Sequence, residues 1–237
     1  MNQIINIKKE LRSKANSAKA KILQGFFKTG KGQYGEGDIF LGIIVPEQRK
    51  IAKKYIDLDL KQIQELLKSK IHEERLTSLL ILVTKYKKAE KLKDEKQKQE
   101  IFKFYLENTK TINNWDLVDL SAPTIVGNYL LNKDKKILYK LANSDNLWEK
   151  RIAIVSTFGL IKNNQLEETI KIAEILLKDK HDLIHKAVGW ALREIGKRDL
   201  KELEEFLNTH HKNMPRTMLR YAIEKFDDDK RKRYLEK

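Results

Sequence analysis

The chain of 237 residues contains no cysteine. Disulfides, thiolate nucleophiles and cysteine-ligated metals are therefore excluded. Proline is nearly absent: Pro46, Pro123 and Pro215 are all there are. Six of the ten glycines fall between positions 25 and 42, which leaves the rest of the chain almost free of helix breakers. No apolar run approaches the length of a membrane span; "LTSLLILVT", 76–84, is about half of one. The opening "MNQIINIKKELRSKANSAKAK" has no apolar core of the secretory kind. A cytoplasmic protein without membrane contact is the expectation.

Lysine is what the chain has in excess. Lys and Arg number 49 against 34 Asp and Glu, a formal charge of +15. Lysines also serve solubility, so charge alone names no partner, but an excess of this size favours a polyanion, and nucleic acid above all. Apolar residues recur at spacings of three and four through Leu-, Ile-, Lys- and Glu-rich stretches, and no alternating run reads as a strand. The expectation is all-α.

The helices repeat. "EERLTSLLILVTKYK" (73–87), "EKRIAIVSTFGLIKN" (149–163), "IHKAVGWALREIGKR" (184–198) and "RTMLRYAIEKF" (216–226) each place a basic residue before an apolar helix. Arg151 and Lys186 are 35 apart, and Trp115 precedes Arg151 by 36. Ahead of these helices lie amphipathic partners, "LKQIQELLKSK", "QEIFKFYLENT", "KKILYKLANSD", "ETIKIAEILLKDK" and "LKELEEFLNTH". Helix pairs at this period predict HEAT-like repeats stacked into a curved α-solenoid with a basic concave groove, as one domain over 1–237. The charged run 87–100 reads as a solvated turn leading into the next helix.

Two motifs carry little. "GKGQYG", Gly30–Gly35, has dinucleotide-loop spacing but no strand before it, so no cofactor is expected and the glycines read as a flexible polar loop. Pro46 and Glu47 suit the helix start that follows. His181 and His185 are four apart, yet Asp182 stands where a zinc protease needs glutamate and no third ligand follows; no metal is expected.

In stacked repeats, equivalent positions of the second helices line one surface. They hold Arg75, Trp115 with Asp119, Trp148 with Arg151, then Lys186, Trp190 and Arg193. Trp148 reads equally well as core. Trp115 and Trp190 share their stripes with charges, which are costly to bury unpaired, so that face should be open. Aromatic and basic residues around one carboxylate suit a polyanion carrying something flat or cationic.

The segments "FLGIIVPEQRK", "NNWDLVDLSAP", "SDNLWEKRIAIV" and "HKAVGWALREIGKRD", in this order, closely resemble the AlkD family of DNA alkylation repair glycosylases over about residues 20–226. The resemblance implies a fold of HEAT-like repeats cradling duplex DNA and excision of cationic purines alkylated at N3 or N7, by a monomer. It implies that Asp119 is the catalytic carboxylate, that Trp115 and Trp190 flank the lesion nucleotide, and that Arg151 and Arg193 contact DNA; Arg75 and Lys186 join them from the stripe. An N-terminal aromatic near the lesion is also implied, and Phe26, Phe27 and Tyr34 all qualify. Some relatives lack the catalytic set, so a non-catalytic protein binding unusual DNA is the alternative.

Overall fold

The computed structural model describes residues 3–236. Among them there are fourteen α-helices and no strand; a lone parallel bridge joins Ile39 to Ile71. No helix is long and apolar enough to cross a membrane among the described residues. The all-helical expectation and its pairing into HEAT-like repeats hold. The chain forms two compact units, up to Ile125 and from Val126 onward.

The first unit comprises α1 (Gln3–Ser13), α2 (Ser17–Phe26), α3 (Val45–Lys54), α4 (Leu60–Leu67), α5 (His72–Leu92), α6 (Glu95–Glu107) and α7 (Trp115–Asp119). Its centre is α5, which α1, α3, α4, α6 and α7 all touch. This explains why Leu76, Leu79, Leu80, Ile81, Leu82 and Val83 are buried all round the helix rather than along one stripe. Starts follow sequence signals. Pro46 sits in the first turn of α3, Asp59 and Gln62 form a capping box on α4, and Asp94 caps α6 directly after Lys93, which ends α5 in the left-handed region at φ 56°. The charged run 87–100 is thus the end of α5, a tight turn at Lys93 and Asp94, and the start of α6.

The glycine loop is more constrained than its composition suggests. Gly42 takes φ +82°, and a methyl there would lie 2.2 Å from the Asn16 carbonyl oxygen. The buried Glu73 carboxylate accepts the backbone N–H groups of Leu41, Gly42 and Ile43. The flexible loop expected from its glycines is therefore pinned at its C-terminal end, with glycine supplying close approach as well as freedom.

The second unit comprises α8 (Lys136–Ala142), α9 (Leu147–Lys162), α10 (Glu167–Leu176), α11 (Asp182–Gly196), α12 (Leu200–His210), α13 (Arg216–Ala222) and α14 (Asp228–Leu235). Here α9 packs on α8, α10 and α11, and α11 on α10, α12 and α13. The approach of α11 to α13 needs Gly189: a methyl on it would come within 2.4 Å of the Met218 carbonyl oxygen. Asn146 and His181 cap α9 and α11 through their side chains, which sets where each second helix starts.

Candidate nucleic-acid interface and catalytic face

The helix expected through "NNWDLVDLSAP" ends after five residues. Pro123 disfavours α-geometry at the residue before it and offers no N–H. Ser121 turns its hydroxyl onto the Leu117 carbonyl and the Tyr105 hydroxyl, and a π-helical turn, Pro123–Gly127, follows. One turn of α7 nonetheless suffices to put Trp115 and Asp119 on one face. Asn114 caps it, its side chain accepting the Trp115 N–H at 2.8 Å. Leu117 and Val118 are buried, whereas Trp115 and Asp119 are half-buried. Burial, opposed by the Ser121 bond and reinforced by the Asp119 charge, pushes the Tyr105 hydroxyl far above its ordinary range, so Tyr105 stays a neutral neighbour of that carboxylate.

Trp115 rests on an aromatic stack. Its ring lies 4.9 Å from that of Phe27 with the planes 6° apart, and Phe26 meets it edge-on at 5.9 Å. Phe27 in turn stacks on Phe40 at 4.9 Å. Of the three N-terminal aromatics, Phe27 is only 6 % exposed and supports the indole from beneath, while Phe26 is 63 % exposed beside it. Tyr34 is half-buried, with its hydroxyl 3.5 Å from the Phe26 carbonyl oxygen.

Below the stack lies a buried polar cluster. His72 Nδ1 is 3.2 Å from Asp38 Oδ2, and Nε2 is 2.8 Å from Asp116 Oδ2. Arg75 and Asn114 also donate to Asp38, at 2.7 and 3.2 Å. Arg75, like Arg151 of the second unit, is a stripe residue that the fold buries rather than displays. It is 4 % exposed, and its guanidinium is committed to Asp38 and the Ser69 carbonyl. Its charge is matched by the buried Asp38 carboxylate, which makes Arg75 a counter-ion within the fold.

In the second unit, Trp190 of α11 packs against Phe158 of α9, ring centres 4.4 Å apart, and remains half-buried. Trp148 is buried, as its core reading had it. Arg151 is 5 % exposed and donates to the Leu183 carbonyl at 2.7 Å, linking α9 to the first turn of α11. Lys186 pairs with Asp182 one turn back, and Arg193 with Glu224. His181 caps α11 and His185 bonds the Asp179 carbonyl oxygen, so both imidazoles are engaged in the α10–α11 turn; burial holds His181 below its ordinary pKa. No cluster of three potential metal ligands occurs among the described residues.

A family model described as "DNA alkylation repair enzyme" matches residues 7–226. The chain belongs to that family. Among solved structures it is similar to a predicted DNA alkylation repair enzyme from Enterococcus faecalis, with a TM-score of 0.68 at 16 % identity, covering 91 % of this chain and 98 % of that one. At that identity the likeness establishes the shared fold. Among curated proteins the chain has no match.

For a DNA alkylation repair enzyme, the residues that sequence reasoning missed are those under the indole. Asp38, His72 and the neighbouring pair Asn114 and Asp116 are brought together across separations of 34, 44 and 76 residues, which no helical period connects. One signal was available. "HEER", 72–75, opens α5 with four consecutive polar residues just ahead of its apolar run, and all four are buried.

Proposed function

We propose that this repair enzyme is a monofunctional DNA glycosylase, acting as a cytoplasmic monomer through a single domain, that hydrolyses the N-glycosidic bond of purines carrying a positive charge from N3- or N7-alkylation in duplex DNA. The observation that carries the reading is the pairing of Asp119 and Trp115 on one half-buried face of α7, with the indole plane fixed by the Phe27 stack. The alkylated base is already a good leaving group. As the C1′–N bond breaks, the base departs neutral with the bonding electrons, and positive charge develops on the deoxyribose. Ionised Asp119 stabilises that charge and orients a water, whose oxygen bonds to C1′ while its proton passes to solvent through the carboxylate. Trp115 offers its π face to that cationic character, and the half-buried Trp190 of the second unit carries an indole on which a nucleotide can stack. Arg151, Lys186 and Arg193 hold phosphates, fixing the strand without reading its sequence; the charge of +15 supports that division of labour.

The test is single-turnover release of methylpurines from methylated duplex DNA by the protein and by Asp119→Asn. Loss of one preorganised charge should cost about 100- to 1,000-fold in rate while DNA binding persists. A protein that binds such DNA and releases nothing would instead be a non-catalytic reader of damaged duplexes.

A further inference from the structure

His72 is 1 % exposed and sits at the first position of α5, with an acidic group at each ring nitrogen: Asp38 from the loop before the Ile39 bridge and Asp116 from α7. Its ring faces are covered by Phe40, at 4.5 Å and 21°, and by Phe27, at 5.0 Å and 46°. Two routes therefore run from this imidazole to the Trp115 indole. One passes through Asp116, the next residue in the chain. The other passes through Phe27, on which the indole is stacked.

We propose that His72 is a positioning residue for base release, an imidazolium clamp between Asp38 and Asp116 that fixes the Trp115–Asp119 face of α7, and that opening this clamp by deprotonation makes excision fall at alkaline pH. The proposal rests on the reading of Trp115 and Asp119 given above.

Only the doubly protonated ring can donate at both nitrogens. With His72 charged, the cluster of Asp38, Asp116, Arg75 and His72 is neutral; with His72 neutral, a net negative charge is buried. One nitrogen would then turn a lone pair toward a carboxylate, and Asp116 or Asp38 would have to move. Movement of Asp116 is movement of the first turn of α7. The charged groups facing the ring are these two acids and Arg75, whose guanidinium is 3.5 Å from Nδ1 and opposes protonation. On the same helix, Glu73 is turned to the loop amides and Glu74 to Arg12. Phe27 and Phe40 carry no charge.

Burial alone would depress the His72 pKa, but the charge and hydrogen bond of Asp116 and the bond to Asp38 outweigh it and raise the value above the ordinary one. The sign follows. The folded state holds the proton more tightly than the unfolded chain, so the clamp contributes in full below the ordinary imidazole value, about 6.5, and is lost as pH rises through the raised value.

The test uses the full chain labelled with 15N. Its His72 ring nitrogens and the Trp115 indole N–H are followed by NMR against pH without DNA, beside single-turnover release of 7-methylguanine. The Trp115 resonance should move with the His72 midpoint, and excision should fall about tenfold per pH unit above it. Asp116→Asn should bring both midpoints to lower pH. His72→Gln, which can donate to Asp116 but cannot titrate, should leave the remaining excision flat through that range. A Trp115 resonance or a rate indifferent to His72 titration would overturn the proposal, as would a ring already neutral at pH 7. Should no base be released at any pH, a Trp115 resonance that tracks His72 would still support the clamp, while the glycosylase reading would fall.

Discussion

Glu73→Gln tests how firmly the glycine loop is tied to the core. Glu73 is buried in the first turn of α5. Its Oε1 accepts from Gly42 at 2.7 Å and Ile43 at 3.2 Å, and its Oε2 from Leu41 at 2.9 Å. Glutamine keeps one carbonyl oxygen for Gly42 and Ile43, but its NH2 would face the Leu41 N–H, donor against donor. One buried amide is then unsatisfied, at about 1–3 kcal/mol, and two charge-assisted bonds become neutral ones, at about 1 kcal/mol each. Relief from burying a charge offsets part of this. A net loss of about 3 kcal/mol remains, or roughly 6–12 °C in Tm for a chain of this size. Far-UV circular dichroism on heating measures it, and amide exchange at Leu41 reports the loop directly. A Tm within about 2 °C of the unmodified protein, with Leu41 still protected, would refute the claim that this carboxylate holds the loop.

Four further substitutions separate structural from DNA-facing roles. Arg75→Ala should cost about 3–5 kcal/mol, because Asp38 loses its guanidinium in a buried site, and it should leave the salt dependence of DNA binding unchanged. Arg151→Ala should weaken binding to damaged and undamaged duplexes alike and lower the salt slope by about one; an unchanged slope would remove Arg151 from the phosphate contacts. Gly42→Ala meets both a φ of +82° and the Asn16 carbonyl oxygen and should cost more than about 2 kcal/mol, whereas Gly32→Ala, at φ +76° in open space, should cost about 1–2 kcal/mol; equal losses on denaturant unfolding would refute the close approach.

The helix pairs were legible because periodicity, caps and the scarcity of proline all point the same way: Pro46 and Asp94 stand at helix starts as their chemistry demands. The Trp115–Asp119 pair was legible because both residues fall within one turn, where spacing fixes geometry. The end of α7 was not, since a single proline four residues beyond Asp119 had to be weighed against a continuing apolar pattern. Arg75 was misread for a related reason. Equivalent repeat positions predict a shared surface only when no local acid captures the charge, and Asp38 reaches Arg75 from a loop whose path composition does not specify. Beyond the polar "HEER" start of α5, no local rule reveals the partners of His72, because they meet only after the loop has folded back onto α5 and α7.

The central claim is that the leaving group's own charge, with Asp119 and the Trp115 indole, suffices for catalysis without a general acid. The cation–π contribution is about 1–2 kcal/mol when desolvated, roughly tenfold in rate, so the lability of the cationic nucleotide must supply most of the discrimination. His72 does not replace a general acid, being enclosed by Phe27, Phe40 and two carboxylates. The direct measurement is single-turnover excision from matched duplexes that differ only at one base: 7-methylguanine, 3-methyladenine, hypoxanthine or uracil. The account predicts release of the two cationic bases and essentially none of the two neutral ones. Efficient removal of uracil or hypoxanthine would contradict it, because a neutral base leaves only with protonation or with a base-reading pocket that this mechanism does not contain.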